Sequence, residues 1–305
     1  MSEATNVFTC FGGACAVLVD GAGPAGTPPE AVSAACAQLL RWHDQFSRFK
    51  PASELASLNR DSRERVPVSH TMARFVQAVI DAASLTGGLV DATMLDQIEA
   101  AGYQADHLRA SLALPLALAL APPRTPAGPQ PAGRWREIEV DHDEGVVTRP
   151  PGLHLDGGGI VKGLCADMLG ERLAEHNAYA IDCEGDLRIG GTGGVERQIP
   201  VAAPFDGSLL RQLAVGDGGV ATTGITKRSW LHRGRPAHHL LDPATGQPAY
   251  TGVVQVTALA PTALEGEALA KAALLSGPEG AAGWLRGGGV VVFDDLSHSV
   301  IAPAP

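Results

Sequence analysis

The segment Asp156-Gly157-Gly158-Gly159-Ile160-Val161-Lys162-Gly163 decides how this chain is read. Ahead of it, residues 153–156 alternate like a strand. Behind it, Val161, Leu164, Met168 and Leu173 fall on one face of a helix. Three glycines at a strand-to-helix turn let the backbone pass close to a ligand, and amides at a helix start can point at an anion. Lys162 adds a positive charge in the first turn. The run is not a Walker loop, which needs GxxxxGK[ST], because Lys162 precedes Gly163; it does not match GxGxxG either. From these residues alone, a plain strand–helix turn with a solvated lysine stays open.

Working outward, residues 6–20 read as strand broken at Gly12-Gly13. Pro28 opens a helix whose Val32, Cys36, Leu39, His43 and Phe46 share a face. A short turn runs from Ser53-Glu54-Leu55 to Leu58-Asn59. Ser69 is placed to cap a helix striped by Met72, Phe75, Val76, Val79, Ile80 and Ala83, which Gly87-Gly88 closes. The Pro-rich stretch 121–133 reads as a solvated excursion. Residues 136–140, 178–183, 198–202, 220–223, 238–241, 253–259 and 290–293 are strand-like, residues 264–275 form a helix, and Pro278 opens another. Strands and helices mix without a strict βαβ rhythm, which favours an α+β fold over a doubly wound sheet. We read the whole chain, 1–305, as a single domain.

The composition is that of a globular chain: 45% hydrophobic and 18% charged residues in 305. The net charge of −10 argues against a nucleic-acid backbone as partner. A charged substrate must be held by local groups. No stretch approaches the ~18 apolar residues of a membrane span. The first ten residues lack the pattern of a signal peptide, so a cytoplasmic location is expected. Five cysteines (Cys10, Cys15, Cys36, Cys165, Cys183) without CxxC spacing suit buried, reduced thiols.

Three further groupings carry chemistry. Ala221-Thr222-Thr223-Gly224, followed by Lys227 and Arg228, offers hydroxyls and cations to phosphate oxygens. In His238-His239-Leu240-Leu241-Asp242-Pro243-Ala244-Thr245-Gly246, adjacent strand histidines face opposite sides, so one at most lines a given pocket. A histidine there suits deprotonation of a hydroxyl, while Asp242 is equally an Asx-turn residue. Glu267 and Lys271 stand at i, i+4 on one helix face, as a surface ion pair or as a carboxylate and a cation aimed into a phosphate site.

The order of these motifs is specific. Phe46-Ser47-Arg48-Phe49, Ser53-Glu54-Leu55, Leu58-Asn59, Val90-Asp91-Ala92-Thr93, Gly102-Tyr103, residues 156–163, Gly185-Asp186-Leu187-Arg188, residues 221–224, residues 239–246 and residues 268–277 together resemble the ApbE family of FAD:protein FMN transferases. The likeness covers nearly the whole chain. It implies a T-fold-like α+β architecture, with mixed or antiparallel sheets packed against helices and FAD in a cleft. It implies that FMN passes through its phosphate to a Thr or Ser hydroxyl of an acceptor protein, with AMP released and Mg²⁺ assisting. By the same resemblance His239 matches the histidine that activates the hydroxyl. Asp156, Gly158, Gly159 and Lys162, with Thr222, Thr223, Gly224 and Asp242, match flavin- or pyrophosphate-contacting segments. Ser53, Glu54, Asn59, Asp91, Thr93 and Tyr103 match positions near the FAD cleft. Gly159, through its carbonyl, and Glu267 match metal-ligand positions.

The chain departs from the family pattern at that metal helix. Gly266-Glu267-Ala268-Leu269-Ala270-Lys271-Ala272 stands where the family reads A-D-A-L-A-T-A. An ammonium beside a divalent ion is repelled at low dielectric. We therefore expect Lys271 to replace part of the metal's charge, held by Glu267. The loop usually written N-x-G-G-D reads Asp182-Cys183-Glu184-Gly185-Asp186, which adds acidity beside the pyrophosphate. Two other functions are compatible with the sequence: a FAD-binding protein without turnover, and a FAD pyrophosphatase giving FMN and AMP.

Overall fold

The computed structural model describes residues 3–104 and 112–304. In chain order the elements are β1 (Ala4–Cys10), β2 (Gly13–Asp20), α1 (Pro28–Phe46), α2 (Glu54–Arg60), β3 (Arg65–Pro67), α3 (His70–Leu85), α4 (Leu95–Ala100), α5 (Leu114–Ala119), β4 (Glu139–Asp141) and β5 (Val146–Thr148). They continue with α6 (Val161–Leu173), β6 (Ala178–Cys183), β7 (Asp186–Gly190), β8 (Arg197–Ala202), β9 (Leu209–Val215), β10 (Gly218–Gly224), β11 (Ser229–His232) and β12 (Arg235–His238). The last are β13 (Leu241–Asp242), β14 (Gln247–Pro248), β15 (Val253–Ala260), α7 (Ala263–Leu275), α8 (Gly277–Gly280), β16 (Gly289–Phe293) and β17 (His298–Ile301).

An eight-stranded sheet in the order β1-β2-β6-β7-β10-β15-β16-β17 organises the molecule. Every neighbouring pair in it is antiparallel, which makes this an α+β fold and not a doubly wound one. Helices α1 and α6 bury Leu39 and Leu169 in one cluster with Val17, Val19 and Ile181 of β2 and β6, and α3 adds Phe75, which packs on Phe46 of α1. A second cluster packs Ala270 and Leu274 of α7 with Val220, Val256 and Val291 of β10, β15 and β16. Among the described residues, no helix is long and apolar enough to cross a membrane. The five cysteines are buried and free.

Local signals set the helix ends. Ser69 Oγ accepts from the Met72 amide at 3.1 Å, which caps α3, and Pro28 starts α1. α1 buries Val32, Cys36, Leu39 and Phe46 as their spacing requires, with Trp42 added, whereas His43 of the same stripe is only half-buried. Three strand expectations shift. The segment 238–241 is not one strand: β12 ends at His238, and residues 239 and 240 separate it from β13. Residues 134–137 form a 3₁₀ turn, and β4 begins only at Glu139. Residues 153–156 bury Leu153 and Leu155, yet they form no strand. Their backbone partners are a side chain and a loop: Asn59 Nδ2 donates to the Leu155 carbonyl, the Leu155 amide donates to Asn59 Oδ1, both at 2.8 Å, and the Asp156 amide donates to the Ala92 carbonyl. The Pro-rich stretch is mostly exposed but pinned. The Thr125 amide donates to Tyr250, that of Ala127 to Leu275, and that of Gly128 to Asp242 Oδ1.

Candidate active site

Helices α6 and α7 cap each other and so fix the floor of the site. Asp167 on α6 accepts from the Ala263 and Leu264 amides at 2.9 and 2.8 Å, taking the otherwise unpaired donors at the start of α7. Glu267 on α7 accepts from the Gly163 amide at 2.9 Å, at the start of α6. The two helices approach closely because residue 163 has no side chain. A Cβ there would lie 2.7 Å from the Ala263 carbonyl oxygen and from the Leu264 backbone. Lys162 and Lys271 are thereby presented on the same side of the helix pair, facing the glycine turn.

Two cavities meet at this point. One, of about 180 Å³, has an apolar and aromatic wall that includes Phe11, Phe49, Val90, Met94, Tyr103 and Leu240. The other, of about 80 Å³, is lined by Glu184, Thr222, Thr223, Gly224 and Gln255. Gly158, Lys162, Arg228, His239 and Lys271 belong to the walls of both. The junction thus carries three permanent or near-permanent cations and one imidazole. Tyr103 stacks on Trp230 with ring centroids 5.2 Å apart and planes 16° apart. Arg48 lies over the Phe49 and Tyr103 rings and pairs with Asp156 at 3.3 Å, which ties the aromatic wall to the glycine turn.

Each junction cation has a carboxylate. Lys162 Nζ is 2.6 Å from Asp186, Lys271 Nζ donates to Glu267 Oε1 at 2.9 Å, and Arg228 Nη2 donates to Glu184 Oε2 at 2.8 Å. Burial works against the charge on Lys162, but Asp186, Glu267 and Glu184 outweigh it and hold the ammonium above its ordinary value. Burial, reinforced by Asp186, pushes the Glu267 carboxyl above the usual carboxylate range against the pull of Lys271 and Lys162. His239 goes the other way. Burial, then repulsion from Arg228, His238 and Lys271, hold its imidazolium form well below the ordinary value, so the ring is neutral near pH 7. Its Nδ1 is buried and has no hydrogen-bond partner among the described residues.

A sequence model of the ApbE family matches residues 12–293. The chain belongs to the ApbE family. It is 26% identical over 255 residues to the FAD:protein FMN transferase of Escherichia coli, spanning 81% of this chain and 71% of that one. It is 30% identical over 163 residues to the FAD:protein FMN transferase of Treponema pallidum, spanning 49% and 45%. Among solved structures it is similar to the ApbE protein of Thermotoga maritima, with TM-score 0.78, 22% identity and coverage of 98% of this chain and 97% of that one. The flavin transferase ApbE of Vibrio cholerae gives TM-score 0.73 at 19% identity over 99% and 97%. These likenesses confirm the fold that the resemblance implied.

In this ApbE-family chain the residues singled out from sequence fall into two groups. Asp91, Tyr103, Asp156, Gly158, Gly159, Lys162, His239 and Lys271 line the larger cavity, and Thr222, Thr223 and Gly224 line the smaller. Ser53, Glu54, Asn59, Thr93, Asp242 and Glu267 line neither, and their polar atoms are engaged elsewhere. Ser53 caps α2 by accepting from the Ala56 amide at 2.9 Å. Glu54 bridges Gln45 and Ser69. Asn59 holds the Leu155 backbone. Thr93 donates to Asp91 Oδ1 through both its amide and its hydroxyl. Asp242 accepts from Gly128, Ala244 and Thr245. The adjacent histidines diverge, but not by strand alternation, because β12 ends at His238 and His239 lies in the bend before β13: His239 joins the junction, whereas His238 is buried edge-on against Tyr250 at 4.8 Å.

From sequence, Arg48 and Asp186 enter only inside the resembling motifs, Glu184 only as added acidity, and Arg228 only as one of two cations offered to phosphate oxygens; the ion pairs they make are not legible there. Their partners lie far away in the chain, so no local spacing marks them.

The helix implied to hold a metal does not offer a metal's donor set. Both Glu267 oxygens are already engaged, by Gly163 and by Lys271, and an ammonium sits one turn along. Among the described residues, no cluster of three His, Cys, Asp or Glu side chains is placed to hold an ion. These residues do not fit a divalent cation.

Proposed function

We propose that the protein is a FAD:protein FMN transferase that uses Lys162, Arg228 and Lys271 where a metal would otherwise neutralise charge. The observation that carries this is the junction itself: three cations and a neutral imidazole in a wall shared by an apolar, aromatic cavity and a hydroxyl-lined one, in an ApbE-family chain. Such a division suits a ligand with a flat ring system at one end, a pyrophosphate in the middle and a second polar portion beyond.

The hydroxyl oxygen of an acceptor Thr or Ser attacks the FMN-side phosphorus of FAD. The bond from that phosphorus to the bridging oxygen breaks, and AMP leaves with that oxygen. The hydroxyl proton goes to His239, which lines both cavities and whose neutral state allows it to accept. Phosphoryl transfer relies mainly on positioning and on neutralising charge over the phosphate oxygens. Lys162 and Lys271 are rigid sources of that charge because Asp186 and Glu267 fix them from behind. Asp156 and the Arg48 network keep the glycine turn and the aromatic wall in register.

The test is to incubate purified protein with FAD and a Thr-bearing acceptor, with EDTA or with Mg²⁺, and to follow AMP by chromatography and the acceptor by mass. Acceptor-dependent AMP with a mass gain of one FMN, persisting in EDTA, is expected. AMP without any mass gain means hydrolysis; bound but uncleaved FAD means a binding protein.

A further inference from the structure

We propose that Arg228 is a phosphate-binding residue and that Glu184 holds the place of that phosphate on it. The inference rests on the reading that a pyrophosphate lies at the junction. Arg228 Nη2 is held by two acceptors, Glu184 Oε2 at 2.8 Å and the Phe11 carbonyl at 3.1 Å. Both partners have the left-handed backbone that residues with a Cβ avoid, at φ 58° for Glu184 and 53° for Phe11. The described residues hold two other such non-glycine positions, Arg233 and Leu296, so half of them converge on one guanidinium. Room for the Glu184 side chain exists because residue 13 is glycine: a Cβ there would lie 2.5 Å from Glu184 Cγ. Backbone strain and a cleared path to a single cation mark a contact held in place by the surrounding structure.

The pairing of charges indicates what the contact does. Asp186 and Glu267 are each 1% exposed and stand behind Lys162 and Lys271, outside the smaller cavity's wall. Glu184 lines that wall. A polyanion entering the smaller cavity therefore meets one lining carboxylate, and that carboxylate sits on the cation best suited to two-point binding of phosphate. Phosphate and Glu184 compete for the same donors. Binding exchanges one anion for the other on Arg228, with no covalent change.

The experiment is calorimetric titration of FAD and, separately, of inorganic pyrophosphate into the full chain, for wild type, Glu184→Gln, Arg228→Gln and the double variant. Removing the competing charge should tighten both ligands ~10-fold, and Arg228→Gln should weaken both by ~10-fold or more. The double variant should bind no more tightly than Arg228→Gln. If Glu184→Gln lowers the melting temperature, Glu184→Gly, which suits the left-handed backbone, serves in its place with the same expected gain. Unchanged or weaker binding on loss of Glu184 overturns the inference and makes Glu184 a clamp. Tightened pyrophosphate with no FAD binding in any variant sustains this inference and sinks the flavin reading. FAD binding indifferent to residue 184 does the reverse, and no binding of either ligand overturns both.

Discussion

Two flanks of the cavity use polar residues in opposite ways. On one flank, Lys162 of α6, Lys271 of α7, Arg228 after β10 and His239 after β12 line the cavity, and each of the three cations is held by a carboxylate. On the α2 flank, Ser53, Glu54 and Asn59, with Asp242 across the site, direct their hydrogen bonds into the protein and line neither cavity. The residue types are equally suited to ligand contact. What separates them is whether the fold has already satisfied their donors and acceptors. The first flank should therefore fail in chemistry when altered, and the second in stability.

The largest test of that difference is Lys271→Met. It strands a buried carboxylate, so stability should fall by ~3 kcal/mol in denaturant titration and AMP release by ~100-fold or more. Adding Glu267→Gln should restore most of the stability and none of the turnover. Recovery of both would make the pair structural and erase the contrast. Next comes His239→Asn, expected to reduce turnover by ~100-fold with flavin affinity and melting temperature almost unchanged. Its neighbour sharpens the point, since His238→Gln should leave turnover near wild type. On the opposite flank, Asn59→Ala removes two hydrogen bonds from the Leu155 backbone and should cost ~2 kcal/mol, while kcat holds and KM for FAD rises. A large drop in kcat there would place Asn59 with the chemistry instead.

The smallest effect is in pH. Burial lowers His238 to about 4 and also holds His239 well below its ordinary value, so the unfolded chain binds more protons than the folded one below the ordinary imidazole value of about 6.5. Stability is then full above that pH and declines as pH falls toward 4. Melting curves between pH 7 and 4.5 should show a shallower decline for His238→Gln than for wild type. An identical slope would mean that the ring is already protonated in the folded state.

Much of the fold was legible from local pattern. The α1 and α3 stripes, the Ser69 cap, the break at Gly12-Gly13 and the α7 limits all follow from periodicity and end signals. The 153–156 segment shows where that reading stops. Its alternation correctly buries Leu153 and Leu155, but its hydrogen bonds go to Asn59 and Ala92, which no strand pattern announces. The site divides in the same way. The glycine turn, Lys162 and His239 stand out as residue types in suggestive places. Ser53 and Asp242 stand out equally, and only their hydrogen bonds show them occupied as a helix cap and an Asx turn.

By itself the sequence determined the family, the α+β class and the identity of the charged groups available to the site. Tertiary structure alone decided which of those groups line a cavity and which carboxylate each cation keeps. The reason is distance along the chain. Helix faces and caps depend on residues three or four apart, whereas Glu267 meets Gly163 across 104 positions and Glu184 meets Arg228 across 44. Those pairings exist only because α6 and α7 pack without a side chain at residue 163, and because Glu184 and Phe11 take strained backbone on either side of one arginine.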